Sequence, residues 1–396
     1  MCIFHILEHV NSNKLIFIVP AGMYPTDGRH AQNKRLSTGP EVNNKYTRRR
    51  SLGLCSTYVD AEREREMPFH LVKGRYHVAN YAPDGDTVRF QPDNPASLDR
   101  LDGPPAKLNA RGHAAIRLEG IDTLETHYQG LKQPPPLADE ATDRLFELLG
   151  ITNVEWAEER RSIKRADDAT PGYILSRSVE KYGRIVALAF AGEADEPDGS
   201  PIFLDGKRLA QSVNVAQARS GMAYPTFYWG LFADLRQVFI DAAATARASN
   251  SGVYAVDRST TGFLPASVAA LTDEHVILPK LFRRLAVYML ETGSSIGFKA
   301  RLEASEEPVL DLLTQNITHF DTFIEETAGG AIKLLRRPEE MVFDPMPQRI
   351  ATDFNALMAA ATAPLAPIMS NKVAMSPDPE VFSFERRVAK IRNLTV

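Results

Sequence analysis

One nine-residue stretch constrains this chain more than any other: Arg117-Leu118-Glu119-Gly120-Ile121-Asp122-Thr123-Leu124-Glu125. It carries a cation and three carboxylates and reads as a strand that ends in a sharp polar turn. Two other short stretches answer it, Asp84-Gly85-Asp86-Thr87 upstream and Lys181-Tyr182-Gly183-Arg184 downstream. Together they offer oxygen ligands for a hard metal ion and two arginines for a phosphate.

The surrounding pattern predicts elements that can bring these stretches together. Alternating apolar and polar residues predict strands over about 70–80 and 86–91, and further strands follow at 114–121, 151–157, 173–179 and 184–190. The Pro- and Asp-rich text at 91–112 and the charged run at 158–169 read as long loops. Helices are expected at 137–149, 209–220 and 232–248, the first two closed by Gly150 and Gly221 and the third with Gly252 past its end. Asp205-Gly206 between apolar residues signals a hairpin. Short strands, long loops and helices in this order give an α+β class: a small five-stranded Greek-key barrel with flanking helices.

Outside that region the character changes. Residues 1–67 are expected to be a poorly ordered tail, a solvated charge run in preference to a basic arm for nucleic acid. Residues 262–396 are expected to form an all-α region of unknown role. Val276 to Glu291 has a helical period, and Val309, Leu313, Ile317, Phe320 and Ile324 form a stripe at helical spacing. At 396 residues the chain has room for such an arrangement, divided at 68–258 and 262–396. A net charge of -4 gives no bulk attraction to polyanions, so nucleic-acid binding must come from local cations. The apolar runs near the N-terminus are too short to span a bilayer and lack the layout of a secretory signal, so a cytoplasmic location without membrane association is expected.

Hydrolysis of a phosphodiester needs a cation to offset phosphate charge, donors for the crowded transition state, and a group that orients and deprotonates water. Asp86 at a strand start and Asp122 at a strand end are positioned for sheet pairing to bring them together, with the Thr123 carbonyl beside Asp122. Arg117 and Arg184 offer planar forks that grip phosphate oxygens in bidentate fashion. Glu125 stands just outside the turn, where it can hold the attacking water and take its proton. Each piece alone is ordinary, since Asp-Gly-Asp is usually only a turn and a lone strand arginine usually an ion-paired surface residue. The signal lies in all three together, in order.

With those motifs the chain resembles the staphylococcal nuclease (thermonuclease) family. The resemblance continues through Asp205-Gly206-Lys207, Ser212-Val213-Asn214, Ser220-Gly221-Met222-Ala223 and Gly252-Val253-Tyr254, covering roughly 70–257. It implies an OB-fold barrel with three helices and calcium-dependent cleavage of DNA and RNA that leaves 3′-phosphate ends. It makes Asp86, Asp122 and the Thr123 carbonyl the Ca²⁺ ligands, and Glu125 the general base. Arg117 and Arg184 become the phosphate-binding arginines and Tyr182 the tyrosine near the substrate phosphate. A base-stacking aromatic falls between Tyr224 and Trp229, with Phe227 or Tyr228 as candidates. Stacking suits a single-stranded DNA or RNA substrate. Leu124 departs from the family, which has proline there. His127 and Tyr128 read as loop residues beside the site, and His113 as structural.

Two rival readings accompany the nuclease. One is a nuclease-like barrel that has lost catalysis and serves as a nucleic-acid or protein-binding module. The other makes the barrel a docking scaffold and the C-terminal helices the functional part. Retention of Asp86, Arg117, Asp122, Glu125 and Arg184 favours the enzyme over the first.

Overall fold

A computed structural model describes residues 68–344; the expected N-terminal tail and the last part of the C-terminal region lie outside the described residues. Strand β1 (Phe69–His77) alternates buried and half-exposed side chains and pairs antiparallel with β2 (Thr87–Pro92). Strand β3 (Ala114–Leu118) follows, then the short β4 (Ile121–Thr123) after the turn at Gly120. Helix α1 (Pro135–Leu149) ends on Gly150 in the left-handed conformation, as the sequence predicts. The expected loop at 158–169 instead contains β6 (Ile163–Asp167), which pairs with β5 (Thr152–Trp156) as a protruding hairpin. Charged residues populate this ribbon because most of it faces solvent, which hides the strand from a hydropathy reading.

Strands β7 (Thr170–Val179) and β8 (Ile185–Ala191) complete the barrel. The order β2-β3-β8-β7-β1, with β1 also paired to β2, closes five strands on themselves. All pairings in that circuit are antiparallel except β3 with β8. The interior is filled by side chains such as Phe90, Ile116, Ile174 and Ile185, so the barrel is a packed core and not a channel.

Strand β9 (Pro201–Ile202) adds to the edge of β1. The expected hairpin at Asp205-Gly206 is a helix start: Asp205 caps the short helix α2 (Gly206–Leu209) by accepting from the Arg208 amide. An Asp side chain serves a helix cap as readily as a turn, and tertiary context decided between them. Helix α3 (Val213–Arg219) is pinned to the barrel by Asn214, which is fully buried. Its side chain accepts from the Ala189 amide at 2.9 Å and donates to the carbonyls of Glu119 and Ala187. Strands β10 (Ala223–Pro225) and β11 (Phe227–Tyr228) lead into helix α4 (Ala233–Ala248).

The expectation of an all-α region from 262 onward is corrected over the residues described. Helices α5 (Val268–Asp273), α6 (Pro279–Thr292) and α7 (Phe298–Glu303) are followed by strands β12 (Pro308–Asp311), β13 (Asn316–His319), β14 (Ile324–Glu326), β15 (Ile332–Leu334) and β16 (Met341–Phe343). The apparent helical stripe from Val309 to Ile324 runs through strand β12, a turn, strand β13, a 3-10 turn at Phe320–Phe323 and the first residue of β14. Val309, Phe320 and Ile324 are buried, but Leu313 and Ile317 are 62% and 53% exposed. Residues three or four apart aligned by coincidence across a turn, while the β-branched content favoured extended chain.

This segment is not separate from the barrel. Strand β16 pairs parallel with β11. A second apolar cluster joins Leu124, Ala138, Tyr224 and Val253 to Phe282, Leu285, Phe298 and Phe343. The C-terminal elements therefore pack against the end of the barrel that carries the polar turn. No helix among the described residues is long and apolar enough to cross a membrane.

Candidate active site at the covered end of the barrel

Three local devices bring the acidic residues together. The Asp84–Thr87 turn lies close against β4: a side chain at Gly85 would meet Thr123 Cγ2 at 2.9 Å and Ala141 Cβ at 2.8 Å. Glycine fits there because the Thr123 and Ala141 side chains leave no room for a Cβ. Gln217, fully buried on α3, holds the turn by donating to the carbonyls of Gly85 and Ala141, both at 2.8 Å. Pairing of β10 with β4 sets Tyr224 opposite Asp122 and holds β4 in register.

Asp86, Asp122, Thr123, Glu125 and Arg117 converge as the sequence predicts. Asp86 accepts from the Thr123 amide at 3.3 Å and from the Thr87 hydroxyl at 3.0 Å. Arg117 lies 3.9 Å from Asp122, and its guanidinium stands 5.2 Å from the centre of the Tyr228 ring. The Glu125 amide donates to Gln133 at 3.1 Å, and the Gln133 side chain donates onward to the Ile277 carbonyl at 2.8 Å. Gln133 thus clamps the Glu125 loop to the C-terminal segment, a role with no sequence signature.

The central side chain of the cluster was not expected. Arg283, on α6, places its fork on Asp122, with Nη1 at 3.1 Å from Oδ1 and Nη2 at 2.7 Å from Oδ2, and also donates to Glu125 Oε1. Lys280, one turn earlier on the same helix, donates to the Tyr228 hydroxyl at 3.1 Å and pairs with Glu307 at the same distance. The signal for this lay in α6 itself. Lys280, Arg283 and Arg284 sit three and four apart, one basic stripe on an otherwise apolar helix.

The electrostatics follow from burial and crowding. Burial, and then the charge of Asp122, raise the pKa of Asp86. Burial and the neighbouring Asp86 carry Asp84 well above the usual carboxylate range. For Asp122 burial is outweighed by Arg283, Arg117 and Lys280, which hold it below its ordinary value. Glu125 is pushed up to about 7, by burial first, against the pull of Arg283 and with Asp122 adding to the rise. Burial would raise Tyr228, but Lys280 and Arg117 together lower it.

The other expected residues have partners of their own. Arg184 forks onto Glu180, with Nη2 at 3.0 Å from Oε2, across the β7–β8 turn. Tyr182 is 63% exposed at that turn, with the Lys181 ammonium 5.0 Å from its ring centre. Phe227 is fully buried against Phe239, which closes its faces to a nucleic-acid base and corrects its assignment as a stacking platform. The Tyr228 ring is covered by Arg117 and Lys280 and lies beside Phe343, so it too offers no free face. Phe227 is buried and Tyr228 half-buried on β11, an edge strand whose one partner in its sheet is β16. His113 stacks on His77 with ring centres 4.0 Å apart and contacts the Tyr81 hydroxyl, a structural role as expected. His127 contacts the Ala82 carbonyl at 3.0 Å.

The donor chemistry fits a hard cation. Carboxylates that repel one another are gathered in a buried pocket, Asp84 Oδ1 is buried without a hydrogen-bond partner, and a guanidinium already stands on Asp122 and Glu125 as a positive counter-charge. As the side chains stand, no group of three or more His, Cys, Asp or Glu side chains among the described residues is disposed to hold a metal ion.

No family model matches the chain. A 98-residue stretch, a quarter of the chain, is 30% identical to 5'-adenylylsulfate reductase 1, chloroplastic, of Arabidopsis thaliana. The match spans only about a fifth of that relative's length.

Proposed function

We propose that the described region is an OB-fold nuclease of the staphylococcal type, hydrolysing phosphodiester bonds in DNA or RNA with the help of Ca²⁺ and leaving 3′-phosphate ends. The observation that carries this reading is the convergence of Asp86, Asp122, Thr123, Glu125 and Arg117 at one end of a closed five-stranded barrel. The strand order, with its one parallel pairing between β3 and β8, supports the OB-fold assignment.

Asp86, Asp122 and the Thr123 carbonyl would hold the calcium ion, which supplies neutralisation of phosphate charge. Arg117 sits beside these ligands with its fork free to take phosphate oxygens once it leaves Asp122. Glu125 is held by Gln133 at the rim of the turn, where it orients water and accepts its proton. Arg184 supplies a second fork from the β7–β8 turn after exchanging Glu180 for phosphate. Neighbouring apolar elements exclude bulk water and so strengthen each of these interactions.

One observation favours the binding-module alternative. Arg283 satisfies Asp122 and Glu125 as they stand, which a barrel without catalysis would tolerate indefinitely. Incubation of heat-denatured DNA with the full chain separates the two, in calcium or in chelator, between about pH 7 and 10. The nuclease reading expects calcium-dependent cleavage that drops ~10²- to 10⁴-fold in Glu125→Gln. Absence of such cleavage both from the native chain and from a variant lacking the Arg283 guanidinium would sink it in favour of binding.

A further inference from the structure

Arg283 joins α6 to the acidic cluster at the end of the barrel. Its fork takes both oxygens of Asp122, the least exposed carboxylate of the cluster, and reaches Glu125 as well. Asp122 is a proposed metal ligand and Glu125 the proposed base, so the guanidinium takes carboxylate oxygens that a bound divalent cation would need. It is delivered there by a helix that is firmly held. Leu281, Phe282, Leu285 and Ala286 of α6 are all fully buried in the second apolar cluster. The first turn of α6 is tied to the barrel through a polar chain: the Leu278 amide donates to Ser259, Ser259 donates to Asp257 at 2.6 Å, and Tyr224 on β10 donates to the same Asp257 oxygen at 2.9 Å. Arg284, the next residue, is anchored away from the site on Glu307 at 2.6 Å. Helix position is therefore fixed by apolar packing and by Asp257, while only the Arg283 side chain enters the acidic cluster.

We propose that Arg283 is a built-in competitor of the divalent cation: α6 supplies a guanidinium that takes the Asp122 oxygens the metal would share with Asp86 and the Thr123 carbonyl, and the barrel site takes calcium only when that side chain swings out. This rests on the calcium-dependent reading of the site. A guanidinium and a calcium ion cannot share the Asp122 oxygens, because calcium needs those oxygens in its own coordination shell and the two positive charges repel at that distance. A ligand that must displace a resident group binds with an affinity reduced by the fraction of molecules in which the seat is free. The side chain retains a way out, since Arg283 is 20% exposed. Methionine at this position keeps the stem's apolar contacts and removes the charge.

The test is calorimetric titration of calcium chloride into the full chain and its variants, with no nucleic acid present. Arg283→Met should bind calcium about 10- to 100-fold more tightly than the native chain, and Asp122→Asn added to it should abolish the gain. Arg283→Lys, whose single ammonium cannot bridge both carboxylates, should fall between the two. Because removal of Arg283 leaves buried carboxylates without a counter-charge, circular dichroism and thermal unfolding verify that each variant is folded. If Arg283→Met does not fold, Arg283→Lys carries the comparison, and an affinity equal to that of the native chain overturns the proposal. Equal affinity in native chain and folded Arg283→Met overturns it while leaving the calcium site intact. No calcium binding by either overturns it together with the calcium reading.

Discussion

Single residues hold this site in place through steric fit and buried hydrogen bonds. Gly120 turns the chain between β3 and β4 with φ of +82°, and a Cβ there would meet the Phe239 ring at 2.7 Å. Gly120→Ala combines a left-handed backbone penalty with overpacking, and a loss of ~2–4 kcal/mol is expected in urea unfolding. Asn214 explains itself in the same terms. Its loss to alanine leaves the Ala189 amide without a partner in the barrel wall and should cost ~1–3 kcal/mol, read from the denaturation midpoint. Leu124 is the most informative departure from the nuclease pattern. Read in sequence it only loosens the turn, yet it is fully buried in the cluster that joins barrel and C-terminal segment. Proline has less side chain to offer that cluster. Leu124→Ala should destabilise the chain by ~2–5 kcal/mol, which thermal or urea unfolding measures directly. The acidic cluster was legible because its members stand in short local motifs. Arg283, Lys280 and Gln133 were not, because each acts on residues 52 or more positions away along the chain.

At the scale of elements, strand and helix patterns were read correctly where one face is buried and one is wet, as in β1, α1, α4 and α6. They were misread where that contrast fails. Strand β6, read as loop, is mostly exposed, and the β12–β13 hairpin carries exposed Leu313 and Ile317. Helix α6 also carries a pH-dependent anchor. Burial works to raise the Glu307 carboxyl, but Lys280 and Arg284 outweigh it and leave its pKa below the ordinary glutamate value. A carboxylate depressed on folding stabilises the native state above its unfolded pKa and loses that contribution as pH falls through the folded value. The loss should therefore appear over roughly pH 5 to 3, and Glu307→Gln should flatten that part of the stability curve while lowering stability at pH 7. Urea midpoints across that range, native chain against variant, check both signs.

For the molecule as a whole, barrel and C-terminal segment share one core, and this changes what truncation would do. An independent helical appendage could be deleted from 262 onward without effect on the barrel. The observed packing predicts otherwise: deletion strips β16 from β11 and bares Leu124, Tyr224 and Val253. The truncated chain should aggregate or lose its sharp unfolding transition, as followed by light scattering and calorimetry. The sequence by itself determined which residues carry carboxylates and guanidinium groups in nuclease-like motifs, and that strands of barrel length separate them, because both are local properties of the chain. Only the tertiary structure decided that Phe227 and Tyr228 face a core and that a cation from α6 stands on Asp122 and Glu125. Those outcomes depend on which surfaces are brought together by packing, and apolar attraction carries no directional information along the chain.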